Sequence, residues 1–303
     1  MEQLLALTNL VHFLVIDIGI DPEIGTFGPF TITWHGFFTA VGILAGVTLS
    51  VLLFSKDGVP SVGGQEIAIV GVLSAIAGAR LFYVAEHWND QVADDPGAIL
   101  FGIQEGGITL YGGLIGGVVG GVIYGIFRKW PIAIGLDAAA PGMILGQGIG
   151  RIGDLINGEH LSTASDLPWA VRYTNLNNNL AELGVAVHPT AGGYELVGDM
   201  IILGLLLFVG RRFIKVPGWT FCLYVILYAS MRFVLSYYRV DEQTVGDIPI
   251  PQIVSAALVG IAIIAAGVLL RHPGPITREY AARVWGSGKD KDGPVDDGQA
   301  APA

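Results

Sequence analysis

The chain has 303 residues, of which 52% are hydrophobic and 14% charged, and its mean hydropathy is +0.60. That balance excludes an ordinary soluble domain, and a net charge of −10 without any basic stripe excludes a nucleic-acid surface. The lone cysteine, Cys222, excludes a disulfide framework and any metal site built on cysteines.

In chain order, residues 1–28 read as an interfacial segment on the outer face, with a partly amphipathic helix over 1–15. The segment lacks the basic start and small-residue cleavage site of a signal peptide. Apolar stretches near 29–55, 64–86, 111–127, 132–156, 197–214, 218–239 and 249–271 approach the roughly 20 residues that cross a hydrocarbon core. They predict an all-α integral membrane protein with seven transmembrane helices over 29–272 and an outer segment near 157–196 that covers a site. The tail, 273–303, is too polar to pack and reads as a disordered cytoplasmic extension.

Basic residues set the orientation. Lys56, Arg128, Lys129, Arg211, Arg212, Lys215, Arg271, Arg278, Arg283, Lys289 and Lys291 fall on one side, which is 11 of the 16. The positive-inside rule then puts the N-terminus outside and the C-terminus in the cytoplasm.

Four arginines remain in or beside the spans: Arg80, Arg151, Arg232 and Arg239. An arginine at helix centre in a bilayer costs roughly 2.5–3.5 kcal/mol even on the lenient scale, so each needs an anion. Arg232, Ser236 and Arg239 fall on one helix stripe with no acid between them, and a lipid phosphate is the economical partner. In the fourth span Gln147, Arg151 and Asp154 share a face, and Gly158 ends the helix so that Asn157 and Glu159 turn back over the site. Set against this is a plain Arg–Asp staple between helices. Asp137, near the inner end of the same span, reads as a cap or a snorkelling residue. His35 is the side chain in the spans best suited to proton transfer. None of the other histidines shares a metal-ligand spacing with a second ligand.

The run Gly150 to Ser162 resembles the signature G-R-x-G-N-F-x-N-x-E-x-x-G of the bacterial prolipoprotein diacylglyceryl transferase family. The resemblance extends to Trp34-His35-Gly36, Ala79-Arg80-Leu81, Tyr111-Gly112-Gly113, Asp137 with Pro141, His188-Pro189-Thr190 with Tyr194-Glu195, and Arg232-Phe233-Val234. It implies an inner-membrane enzyme that moves a diacylglyceryl group from phosphatidylglycerol to the lipobox cysteine of a prolipoprotein. Glycerol phosphate leaves, and no metal or organic cofactor is required. It further implies that Arg151, Arg80, Asp154, Asn157, Glu159 and Arg239 bind the lipid headgroup and that Arg232 acts beside them. The chain has Tyr111 where the family usually has His, and His35 where it usually has Tyr. The exchange assigns proton handling to His35 and hydrogen bonding to Tyr111. Ser236 replaces a usual Glu, Asp154 a usual Asn, and Leu155 and Ser162 also depart from the signature. Two other readings stay open: a non-catalytic paralogue that binds anionic phospholipid, and a small-anion transporter.

Overall fold

The computed structural model describes residues 15–28, 30–86, 88, 109–178, 180–213, 215–240 and 244–272. Among the described residues, apolar helices occupy the expected stretches: α1 Trp34–Lys56, α2 Ser61–Glu86, α3 Leu110–Phe127, α4 Ile132–Asn157, α5 Thr190–Phe213, α6 Trp219–Leu235 and α7 Ile250–Arg271. Six are long and apolar enough to cross a membrane, whereas the apolar stretch of α3, Gly112–Phe127, is shorter. The protein is a multi-pass membrane protein. Large apolar side chains such as Leu44, Phe208 and Ile264 are about 70% exposed on the helix flanks. Water would penalise such a surface, but lipid does not.

Two helices are not plain α-helix. α5 opens with a π-helical turn, Thr190–Glu195, and has a second at Leu206–Gly210. It therefore starts earlier than the 197 expected, and the added turn brings in Glu195. α6 tightens at its end into a 3₁₀ turn, Ser236–Tyr238. Short polar caps set other boundaries: the Gly36 amide donates to Thr33 Oγ1 at 3.1 Å, and Thr109 caps α3 by accepting from the Gly112 amide.

The spanning architecture is all helical, as expected. Among the described residues three short two-stranded sheets accompany the helices: β1 (Ile16–Ile18) pairs in parallel with β4 (Val171–Tyr173), β2 (Glu23–Phe27) with β3 (Phe30–Thr33), and β5 (Thr244–Val245) with β6 (Ile248–Pro249). Strands of two to five residues leave no legible alternation in the sequence. Ile18, Val171, Tyr173 and Val187 give this sheet region its own small core. The Tyr173 hydroxyl ties it to α4 by donating to the Leu155 carbonyl at 2.8 Å. The helix expected over 1–15, apart from residue 15, and the tail over 273–303 lie outside the described residues.

The described chain packs as two units, residues up to 48 with 140–272, and the described residues between 49 and 139. In the first, Gly42 and Gly46 of α1 lie against Gly142 and Gly146 of α4, so close that a Cβ would strike a backbone carbonyl. Ala140, Ile144, Ile202, Leu206 and Tyr224 form the core that joins α4, α5 and α6. In the second unit, Gly78 of α2 meets Gly112 and Gly116 of α3 at the same backbone-to-backbone closeness. Asp137 does not snorkel: it is fully buried.

Candidate active site

Glycines decide which side chains can meet at the C-terminal end of α4. At Gly153 a Cβ would come within about 2.7 Å of His35 Cα and of the Trp34 carbonyl. Its absence lets the start of α1 lie on α4. At Gly192, in the opening turn of α5, a Cβ would collide with Leu155. These two close approaches bring His35, Arg151, Asp154 and Glu195 into contact.

The contacts form a continuous line. His35 Nδ1 lies 2.6 Å from Asp154 Oδ1. Asp154 Oδ2 accepts from Arg151 Nη1, also at 2.6 Å. The other guanidinium nitrogen of Arg151, Nη2, pairs with Glu195 Oε2. Glu195 Oε1 in turn lies 3.8 Å from Arg239 Nη1 and 4.0 Å from Arg232 Nη1. Asp154 is 4% exposed and Glu195 0%, while the His35 side chain is 46% exposed. The acids are therefore shielded and the imidazole is open to an incoming group.

This geometry corrects one expectation. Along α6 no acid separates Arg232 from Arg239, yet an internal carboxylate reaches both, supplied by α5. Ser236 takes part through its hydroxyl, which accepts from Arg232 Nη1 at 3.3 Å and donates to the Arg232 carbonyl at 3.0 Å. Arg239 is not an interfacial residue, because its side chain is 6% exposed. Gln147 also departs from expectation. It donates to the Tyr224 hydroxyl at 3.0 Å, away from the ion line.

The remaining predicted residues scatter more widely. α4 ends at Asn157 and Gly158 takes a φ of +66°, as the glycine stop requires. The Asn157 carbonyl accepts from Asn178 Nδ2 at 2.7 Å, and its side-chain oxygen is buried. Glu159 is exposed, with its amide donating to the Asp154 carbonyl at 3.0 Å. Arg80 belongs to the other unit, buried, with its guanidinium 5.3 Å from the centre of the Tyr83 ring. The Tyr111 side chain lies outside the described residues, so its hydrogen-bonding role stays an expectation.

A second constellation stands beside the ion line. Trp169 Nε1 donates to the Tyr194 hydroxyl at 2.9 Å, and that hydroxyl lies 3.1 Å from His188 Nδ1. An indole only donates, so the Tyr194 hydroxyl accepts from Trp169, and the His188 tautomer sets the direction of its second hydrogen bond. Tyr238 packs on His188 with ring centres 4.9 Å apart. Burial holds the His188 pKa below its ordinary value. Tyr194 and Tyr238 precede Glu195 and Arg239 in sequence, so this constellation fixes the backbone on both sides of the ion pair. Further out, Arg172 clamps Asp17 with two bonds of 2.8 and 2.9 Å.

Glu195, which the resemblance includes without a role, and Asp199, which sequence reasoning missed, lie one turn apart on α5, both fully buried. Each is an ionisable group in an apolar helix, which is signal enough to suspect a role. Starting the fifth span at 197 left Glu195 in a loop.

Comparisons with known proteins identify the family. The family model for prolipoprotein diacylglyceryl transferase matches residues 22–268. The chain is similar to a protein of Gloeobacter violaceus, 34% identical over 82% of this chain and 91% of the relative. One from Finegoldia magna is 35% identical over 79% and 90%, and one from Corynebacterium glutamicum 33% over 81% and 84%. All three are named phosphatidylglycerol–prolipoprotein diacylglyceryl transferase.

Proposed function

Because this chain belongs to the prolipoprotein diacylglyceryl transferase family, we propose that the line from His35 to the three arginines is its transfer site. The enzyme is a transferase that moves diacylglyceryl from phosphatidylglycerol to a prolipoprotein. The acceptor atom is the thiol of the lipobox cysteine in the signal-peptide region. The lipid phosphate sits with Arg151, Arg232 and Arg239, and Asn157 and Glu159 orient the headgroup glycerol. Seven helices cross the bacterial inner membrane with the N-terminus outside and the C-terminus in the cytoplasm. The site then opens to the outer leaflet, which the asymmetry of Lys and Arg supports.

His35 is the base in this reading. Asp154 takes the Nδ1 proton into its hydrogen bond and leaves the Nε2 lone pair free to accept the thiol proton. The thiolate is the nucleophile. It attacks the glyceryl carbon that bears the phosphate, forming the S–C bond as the C–O bond breaks. The electron pair goes to the phosphate oxygen, where the arginines stabilise the growing charge. Glycerol phosphate leaves, and the proton held by His35 passes to it or to water.

The observation that carries this reading is the unbroken contact from an exposed imidazole through Asp154 to Arg151, which puts a base next to an anion site. The test uses purified protein, phosphatidylglycerol micelles and a lipobox peptide, read by intact mass. The expected result is a diacylglyceryl gain on the cysteine that a Cys→Ala peptide lacks. No gain, with phosphatidylglycerol still bound, would instead mark a lipid-binding paralogue.

A further inference from the structure

A carboxylate of the chain itself already sits where the guanidinium groups converge. Glu195 is fully buried, paired with Arg151 and within 4.0 Å of both Arg232 and Arg239. Neither of its oxygens makes an aligned hydrogen bond among the described residues. Contacts of 3.8 and 4.0 Å are charge attraction without hydrogen bonding. A phosphate offers more acceptor oxygens and fits guanidinium forks better, so it can displace such a partner from Arg232 and Arg239.

Displacement matters most after the reaction. The lipid is a phosphodiester with one negative charge. The product is a phosphomonoester, which carries about −1.5 to −2 at neutral pH. Arginines placed to stabilise charge growing on the leaving group therefore hold the product more tightly than the substrate. We infer that Glu195 is a built-in competitor anion that returns to Arg232 and Arg239 as glycerol phosphate leaves, and so keeps the site from being trapped with product. It is a positioning residue, it exchanges no atom with either substrate, and the inference rests on the transfer reading above.

The test measures inorganic phosphate and glycerol phosphate binding to full-length protein by calorimetry, beside transfer kinetics. In Glu195→Gln both anions should bind at least tenfold more tightly. Transfer should be inhibited by tenfold less glycerol phosphate, with KM for phosphatidylglycerol and kcat falling together. Glu195→Asp should restore wild-type behaviour. Ser236→Glu, which adds a second carboxylate at the position whose hydroxyl now accepts from Arg232, should weaken both anions by a similar factor. Unchanged or weaker phosphate binding in a folded Glu195→Gln overturns the inference. If that variant does not fold, unchanged or tighter binding in Ser236→Glu overturns it. Phosphate binding needs no turnover, so loss of the transfer reading would appear separately, as a wild-type protein that binds phosphate and transfers nothing.

Discussion

Two of the regions that set arginine against carboxylate are built differently. In the unit of α2 and α3, Glu66 accepts from Arg128 Nε and Nη2, each at 3.2 Å, from the Tyr124 hydroxyl at 3.2 Å and from Trp130 Nε1 at 3.3 Å. One acid is matched to one base, and four donors satisfy its two oxygens. Across the ends of α4, α5 and α6, Glu195 instead gathers three guanidinium groups without an aligned hydrogen bond among the described residues. Arg151 adds Asp154, so three guanidinium groups share two carboxylates in the contacts described. The first arrangement is closed and stitches helices together. The second retains attraction for another anion. Residue type is the same in both, so charge stoichiometry and alignment are what separate a staple from a binding site.

Breaking each region should have opposite consequences. Arg151→Ala removes the group that joins the base to the anion site. Transfer should fall by about 10³-fold or more, the scale seen when a charge-stabilising donor is deleted, while the protein still folds. The same assay on Glu66→Gln should give near wild-type transfer. That change should cost at most a few degrees in melting temperature, since the pair is partly exposed. A large loss of transfer from Glu66→Gln, or a small one from Arg151→Ala, would erase the contrast.

A smaller effect sharpens it. Burial keeps the His188 pKa below the ordinary 6.5. The unfolded chain then binds the proton more readily than the folded one. The stability that the neutral imidazole supports is complete above about pH 6.5 and is lost as pH falls from there towards the folded pKa. Protonation also makes Nδ1 a donor, so the Tyr194 hydroxyl must then accept from it. Melting curves between pH 7.5 and 5 should show this loss, and His188→Gln should flatten it.

Much of the fold was legible because spanning helices announce themselves as apolar length. Fourth-span residues Arg151 and Asp154 were legible as partners because three residues along a helix is a local rule. The place of Glu195 in a span was hidden because Thr190, Gly192 and Gly193 dilute the apolar signal at the start of α5, where the chain forms a π-helical turn. Its contact with Arg232 and Arg239 is made through space, between helices, and no spacing within α6 encodes it. His35 was legible as a proton carrier but its partner was not. That pairing depends on Gly153 having no side chain, which matters only once two helices are set side by side.

The pairing of His35 with Asp154 is the centre of this account, and a pH–rate profile of transfer for wild type and His35→Gln tests it most directly. The account predicts that the variant loses roughly 10²–10⁴-fold near neutral pH, the usual contribution of a general base. The deficit should then shrink above about pH 8.5, where a free thiol ionises unaided. A variant that transfers at the wild-type rate at neutral pH, or a deficit that stays constant as the thiol ionises, would contradict it.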